Sequence, residues 1–123
     1  ETILMQLPHP GFKNPVFASS AIMAKFQGER RSRWRRFAHR GQTGVLFYLD
    51  STDCGTGAMI ALKGSHLDDG MHALVGTRSA HPDEHCVHVG TGCAVVVHAD
   101  LVHAISENSK CPLRIVVGMW YVG

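Results

Sequence analysis

The residues of this chain whose types can do chemistry are nine histidines, four cysteines and a tight run of arginines. Imidazoles and thiolates bind transition metals, and an imidazole and a carboxylate at i and i+2 of a strand share one face and can hold one ion. His98-Ala99-Asp100 has that pattern. Cys86 and Cys93 with His81, His85 and His88 have the composition of a zinc knuckle, but no Cys-x-x-Cys pair accompanies them, and a polar loop is the plainer reading. Arg30, Arg31, Arg33, Arg35 and Arg36 put five of the 12 basic residues around Trp34. Such a run can contact phosphates while the indole stacks on a base. A solvated loop, or the rim of a site for an anionic substrate, accounts for it more simply than nucleic acid.

The elements that must position these side chains are mainly strands. Thirteen glycines and five prolines punctuate short apolar runs, which favours strands joined by turns. Residues 3–7 read as a strand closed off by Pro8, Pro10 and Gly11. Over residues 16–26 the apolar Val16, Phe17, Ile22, Met23 and Phe26 follow a helical period, with Gly28 just beyond, and predict the one helix of the domain. Residues 44–49 form a continuous apolar run of strand length, 50–57 a turn, 58–62 the next strand, and 67–84 a long polar excursion of the kind that carries function or mobility. Short strands at 86–89 and 94–98 and a turn over 106–112 lead to the longest strand, 114–122. Strands recurring without intervening helices predict two packed antiparallel sheets, a jelly-roll class of fold.

With 123 residues, 45% apolar and 18% charged, the chain fills one core and is expected to be a single domain over 1–123. Its net charge of +2 gives no reason to expect a nucleic-acid or anionic-membrane partner, and no apolar stretch is long enough for a membrane span. The irregularly spaced Cys54, Cys86, Cys93 and Cys111 are read as reduced, hence a cytoplasmic or other reducing compartment. The first residue is Glu rather than Met, so a processed or excised piece is expected.

The distal half carries an ordered set of features: Tyr48-Leu49-Asp50 ending a strand, a turn with Gly55 and Gly57, then Gly64-Ser65-His66, then His98-Ala-Asp-Leu-Val-His103, then Asn108-Ser109 and Arg114. This order, over residues 44–123, resembles the phytanoyl-CoA dioxygenase type of iron- and 2-oxoglutarate-dependent oxygenases. The resemblance implies a double-stranded β-helix, cupin-like, with Fe(II) and 2-oxoglutarate as cofactors and a small or lipid-like substrate to hydroxylate. It places His103 as the distal metal ligand and Arg114, eleven residues on, as the residue gripping the cosubstrate carboxylate. A hairpin over 106–112 would set these two side chains on one face of adjacent antiparallel strands, where a guanidinium can hold a carboxylate with two hydrogen bonds. His98 is assigned packing or hydrogen bonding.

The proximal His-x-Asp or His-x-Glu of the family should lie shortly before residues 45–49, and none is there. In one register Trp34-Arg35-Arg36-Phe37 stands where the family has Trp-His-x-Asp, leaving Arg35 and Phe37 at ligand positions. In the other, His39-Arg40-Gly41 supplies the proximal histidine, His39, with Gly41 in place of the carboxylate as in related halogenases. His98-Ala-Asp100 lies too close to His103 to serve as the first motif. The leading expectation is therefore an oxygenase. The alternative is a catalytically silent binding or structural derivative, with a halogenase third. The missing strands of the family fold would leave a sheet edge for a homo-oligomer.

Overall fold

The computed structural model describes residues 16–38 and 40–122. Seven strands form in chain order: β1 Val16–Phe26, β2 Thr43–Tyr48, β3 Met59–Leu62, β4 Glu84–Cys86, β5 Ala94–His98, β6 His103–Ile105 and β7 Leu113–Val122. They pair antiparallel into two sheets, ordered β1-β7-β2-β5 and β4-β3-β6. The mainly β, cupin-like layering expected from the sequence is present. Arg35 extends the smaller sheet by one bridge, exchanging two 2.9 Å backbone hydrogen bonds with His103. The predicted strand at residues 3–7 lies outside the described residues.

The helix expected over 16–26 is a strand. β1 pairs with β7 from Val16↔Val122 to Phe26↔Leu113, with one bulge near Phe17–Ser19. Tertiary pairing along ten residues of β7 outweighs a helical period that also tolerates a strand reading. In strand register Met23 and Lys25 turn toward the interior while Ile22 and Phe26 stay exposed. One short 3-10 turn, Ser65–Leu67, leads into the 67–84 excursion and a second, Asp69–Leu74, lies within it.

The core lies between the sheets, where Leu46, Tyr48, Met59, Val97 and Trp120 pack together. Gly44 faces Trp120 across the β2–β7 pair. A side chain at Gly44 would come within 2.3 Å of the Trp120 ring, so glycine is what admits the indole. A second cluster gathers Trp34, Ile60, Leu62 and Val102. Trp34 is 1% exposed and its Nε1 donates to Ser79 O at 2.7 Å, so its faces are packing surfaces rather than a platform for a base.

Two cysteine expectations need correction. Cys54 and Cys86 form a disulfide that ties the 50–57 turn to β4, while Cys93 and Cys111 are free. The cysteine content thus no longer argues for a reducing compartment, and with Cys86 bonded the zinc-knuckle set is dissolved. Among the described residues no helix is long and apolar enough to cross a membrane.

Candidate functional site

The Gly64-Ser65-His66 turn and the 98–103 segment meet at His103. Gly64 takes φ 79°, a conformation glycine adopts without strain, and turns the chain so that Ser65, 1% exposed, accepts from Val102 N at 2.8 Å. His103 is itself 1% exposed, and its Nδ1 lies 3.0 Å from Leu101 O. A carbonyl only accepts, so that contact assigns the proton of the neutral ring to Nδ1. Burial pushes the His103 pKa down to about 4, because charging a desolvated imidazole is unfavourable.

Phe37 covers this imidazole. Its backbone N donates to Ala99 O at 2.9 Å, and its ring stacks on His103 with centroids 3.8 Å apart and planes 14° from parallel. The same ring meets Trp120 at 4.8 Å. The positions two residues apart that flank His103, 35 and 37, therefore carry a guanidinium and a phenyl ring.

Arg114 begins the opposite sheet. The expectation that it sits on a strand adjacent to that of His103 is corrected: β6 pairs with β3, whereas β7 pairs with β1 and β2. The segment between them crosses from one sheet to the other instead of closing a hairpin. Both side chains nevertheless line one cavity of about 190 Å³ between the sheets. Arg114 is 4% exposed; its Nε donates to Thr56 O at 2.9 Å and its Nη2 to Cys111 Sγ at 3.2 Å. Among the described residues Nη1 has only a 3.6 Å ion pair with the largely exposed Asp50.

Three further residues line the cavity, of which Lys25 was given no role in the sequence reading. Lys25, opposite Arg114 in the β1–β7 register, donates from Nζ to Arg30 O at 2.6 Å and to Ile105 O at 3.3 Å. Burial lowers its pKa. Tyr48 is 3% exposed, burial pushes its pKa up to about 12, and its hydroxyl has no hydrogen-bond partner among the described residues. Arg35 lines the cavity, also without a side-chain partner among the described residues. Reading 16–26 as a strand would have exposed the inward alternation of Met23 and Lys25.

Iron binding by two histidines and a carboxylate can be tested against this geometry. Among the described residues no group of three His, Cys, Asp or Glu could hold a metal ion. Among the described residues only one imidazole faces the cavity, and Arg35 and Phe37 occupy the neighbouring positions. His39 lies outside the described residues. The described residues thus do not fit an iron triad. Asp100 is engaged elsewhere, accepting from Arg40 Nε at 2.5 Å and Gly41 N at 3.2 Å, and His98 Nδ1 accepts from Asp100 N at 3.0 Å.

Solved structures of other proteins share this fold, among them the non-heme monooxygenase ThoJ, with a TM-score of 0.72 at 19% identity, covering 88% of this chain and 44% of ThoJ. The chain superposes on AviO1 from Streptomyces viridochromogenes Tue57 with a TM-score of 0.71 at 22% identity, covering 89% of this chain and 51% of AviO1. The non-heme alpha-ketoglutarate-dependent carbocyclase SnoK from nogalamycin biosynthesis gives a TM-score of 0.68 at 20% identity, covering 86% and 49%. HygX from Streptomyces hygroscopicus, with nickel, 2-oxoglutarate and hygromycin B bound, gives 0.68 at 13% identity, covering 88% and 56%. The chain spans about half the length of these neighbours. No family model matches the sequence, and no curated protein matches it.

Proposed function

We propose that this chain is a small-molecule-binding member of the non-heme oxygenase fold, which holds a carboxylate between its two sheets without an iron triad. The pair of side chains beside His103 carries this reading, because Arg35 and Phe37 line the cavity next to the imidazole and neither a guanidinium nor a phenyl ring coordinates iron. The cavity suits a carboxylate. Lys25, Arg35 and Arg114 supply positive charge against the single carboxylate of Glu29, and the Tyr48 phenol stays protonated as a donor. Arg114 Nη1 is the group most readily surrendered to a ligand, since a 3.6 Å pair with an exposed aspartate contributes little. Met23, Leu46 and Met59 line the remainder, so the acid carries a short apolar portion.

The second reading is an iron- and 2-oxoglutarate-dependent oxygenase of the phytanoyl-CoA dioxygenase type, with His103 as distal ligand, His39 as proximal ligand and Arg114 on the cosubstrate. The cofactors of the neighbours favour it. Calorimetric titration of 2-oxoglutarate and succinate, with EDTA and then with Ni(II), separates the two. We expect binding that is indifferent to the metal, weakened at least tenfold by Arg114→Ala, and no succinate formed from 2-oxoglutarate under Fe(II) and oxygen. Metal-dependent binding together with succinate formation would establish the oxygenase instead.

A further inference from the structure

The arginine run does more than rim the cavity. A second depression, about 590 Å³, opens along the same segment and is lined by Arg30, Arg33, Arg35 and Arg78, with Trp34 as its one aromatic side chain. Lys25, Glu29, Ser32 and Arg35 line both volumes, so the outer groove adjoins the inner cavity. Charge in the groove is poorly balanced. Arg31 is neutralised by Glu84 through two 2.9 Å hydrogen bonds, and Arg33 donates to Gly76 O at 3.0 Å. Arg30, Arg35 and Arg78 have no ion-pair partner among the described residues, and Glu29 is the one carboxylate lining the groove. Burial, and to a smaller degree Arg35 and Arg78, disfavours the charged form of Lys25, while Glu29 favours it. Exposed like charges gathered along one groove attract an anion into it.

We infer that the groove binds the phosphate or pyrophosphate group of a small molecule whose remaining part enters the inner cavity. Guanidinium groups lining the groove from separate segments, 30–35 and 78, suit the several oxygens of a phosphate better than a single carboxylate. A nucleic-acid strand fits less well. The indole in the run is packed at 1% exposure, leaving no face for a base, and the groove ends in a cavity.

The entry of the remaining part rests on the carboxylate-binding reading, whereas phosphate binding in the groove stands without it. The test is a calorimetric titration of the full chain with inorganic pyrophosphate, run on the wild type, on Arg30→Ala/Arg78→Ala and on the charge-retaining Arg30→Lys/Arg78→Lys. Pyrophosphate should bind the wild type, lose at least tenfold in affinity in the alanine variant, and recover part of that loss in the lysine variant. Absence of pyrophosphate binding, or equal affinity in the alanine variant, overturns the inference. So does a single-stranded oligonucleotide whose affinity grows with length and which pyrophosphate cannot displace. A chain that binds pyrophosphate but no dicarboxylate supports the groove and sinks only the cavity reading.

Discussion

Burial of His103 makes the stability of this domain depend on pH below about 6.5. The ring is buried, stacked under Phe37, and its pKa is lowered to about 4. In the unfolded chain it returns to about 6.5. The folded state therefore favours the neutral form, so the stabilisation is complete above the unfolded pKa and is lost as pH falls toward the folded one. Linkage across that shift gives a loss of about 2 kcal/mol by about pH 5 and about 3 kcal/mol by about pH 4. Glu84, held down by hydrogen bonds from Arg31, belongs to a lower window, because a carboxylate with a lowered pKa withdraws stability only as pH falls below its unfolded value. The assay is urea denaturation between pH 7 and pH 4.5, comparing the wild type with His103→Gln, whose amide can still donate to Leu101 O but does not titrate. The wild type should lose about 2–3 kcal/mol more than the variant over that range. Parallel losses in the two proteins, or a His103 ring signal that titrates near 6.5 by NMR, would refute the burial argument.

Two further substitutions test the geometry. Arg35→His/Phe37→Asp places an imidazole and a carboxylate two residues apart beside His103 and is expected to create a Co(II) or Ni(II) site visible by absorption, with neither single variant doing so; a folded double variant that binds no metal would show that these positions do not face His103 as described. Gly44→Ala drives a methyl group to 2.3 Å from the Trp120 ring, which is 2% exposed and has no room to retreat, and should cost about 1–3 kcal/mol in thermal or urea unfolding. Gly90→Ala, whose nearest neighbour would be Cys93 Sγ at 3.5 Å, is the control, and equal stability of the two variants would contradict the close Gly44–Trp120 approach.

What the sequence determined by itself was local. The uninterrupted apolar runs at 44–49, 58–62, 94–98 and 114–122 could only be buried as strands, and they became β2, β3, β5 and β7. The order of motifs through His103 and Arg114 was enough to bring both onto one cavity. The tertiary structure decided whatever depended on partners distant in the chain. Residues 16–26 had a period compatible with either element, and ten pairings with β7 made them a strand that carries Lys25 inward. The 106–112 turn looked like a hairpin because sequence spacing does not say which of two sheets the next strand joins. Positions 35 and 37 came to face His103 through an isolated bridge between residues 68 apart, which no local pattern announces. The Cys54–Cys86 bond likewise required the 50–57 turn to fold onto β4. Periodicity reports which faces of a segment are apolar, whereas pairing and stacking are set by contacts whose entropy cost only the assembled core can repay.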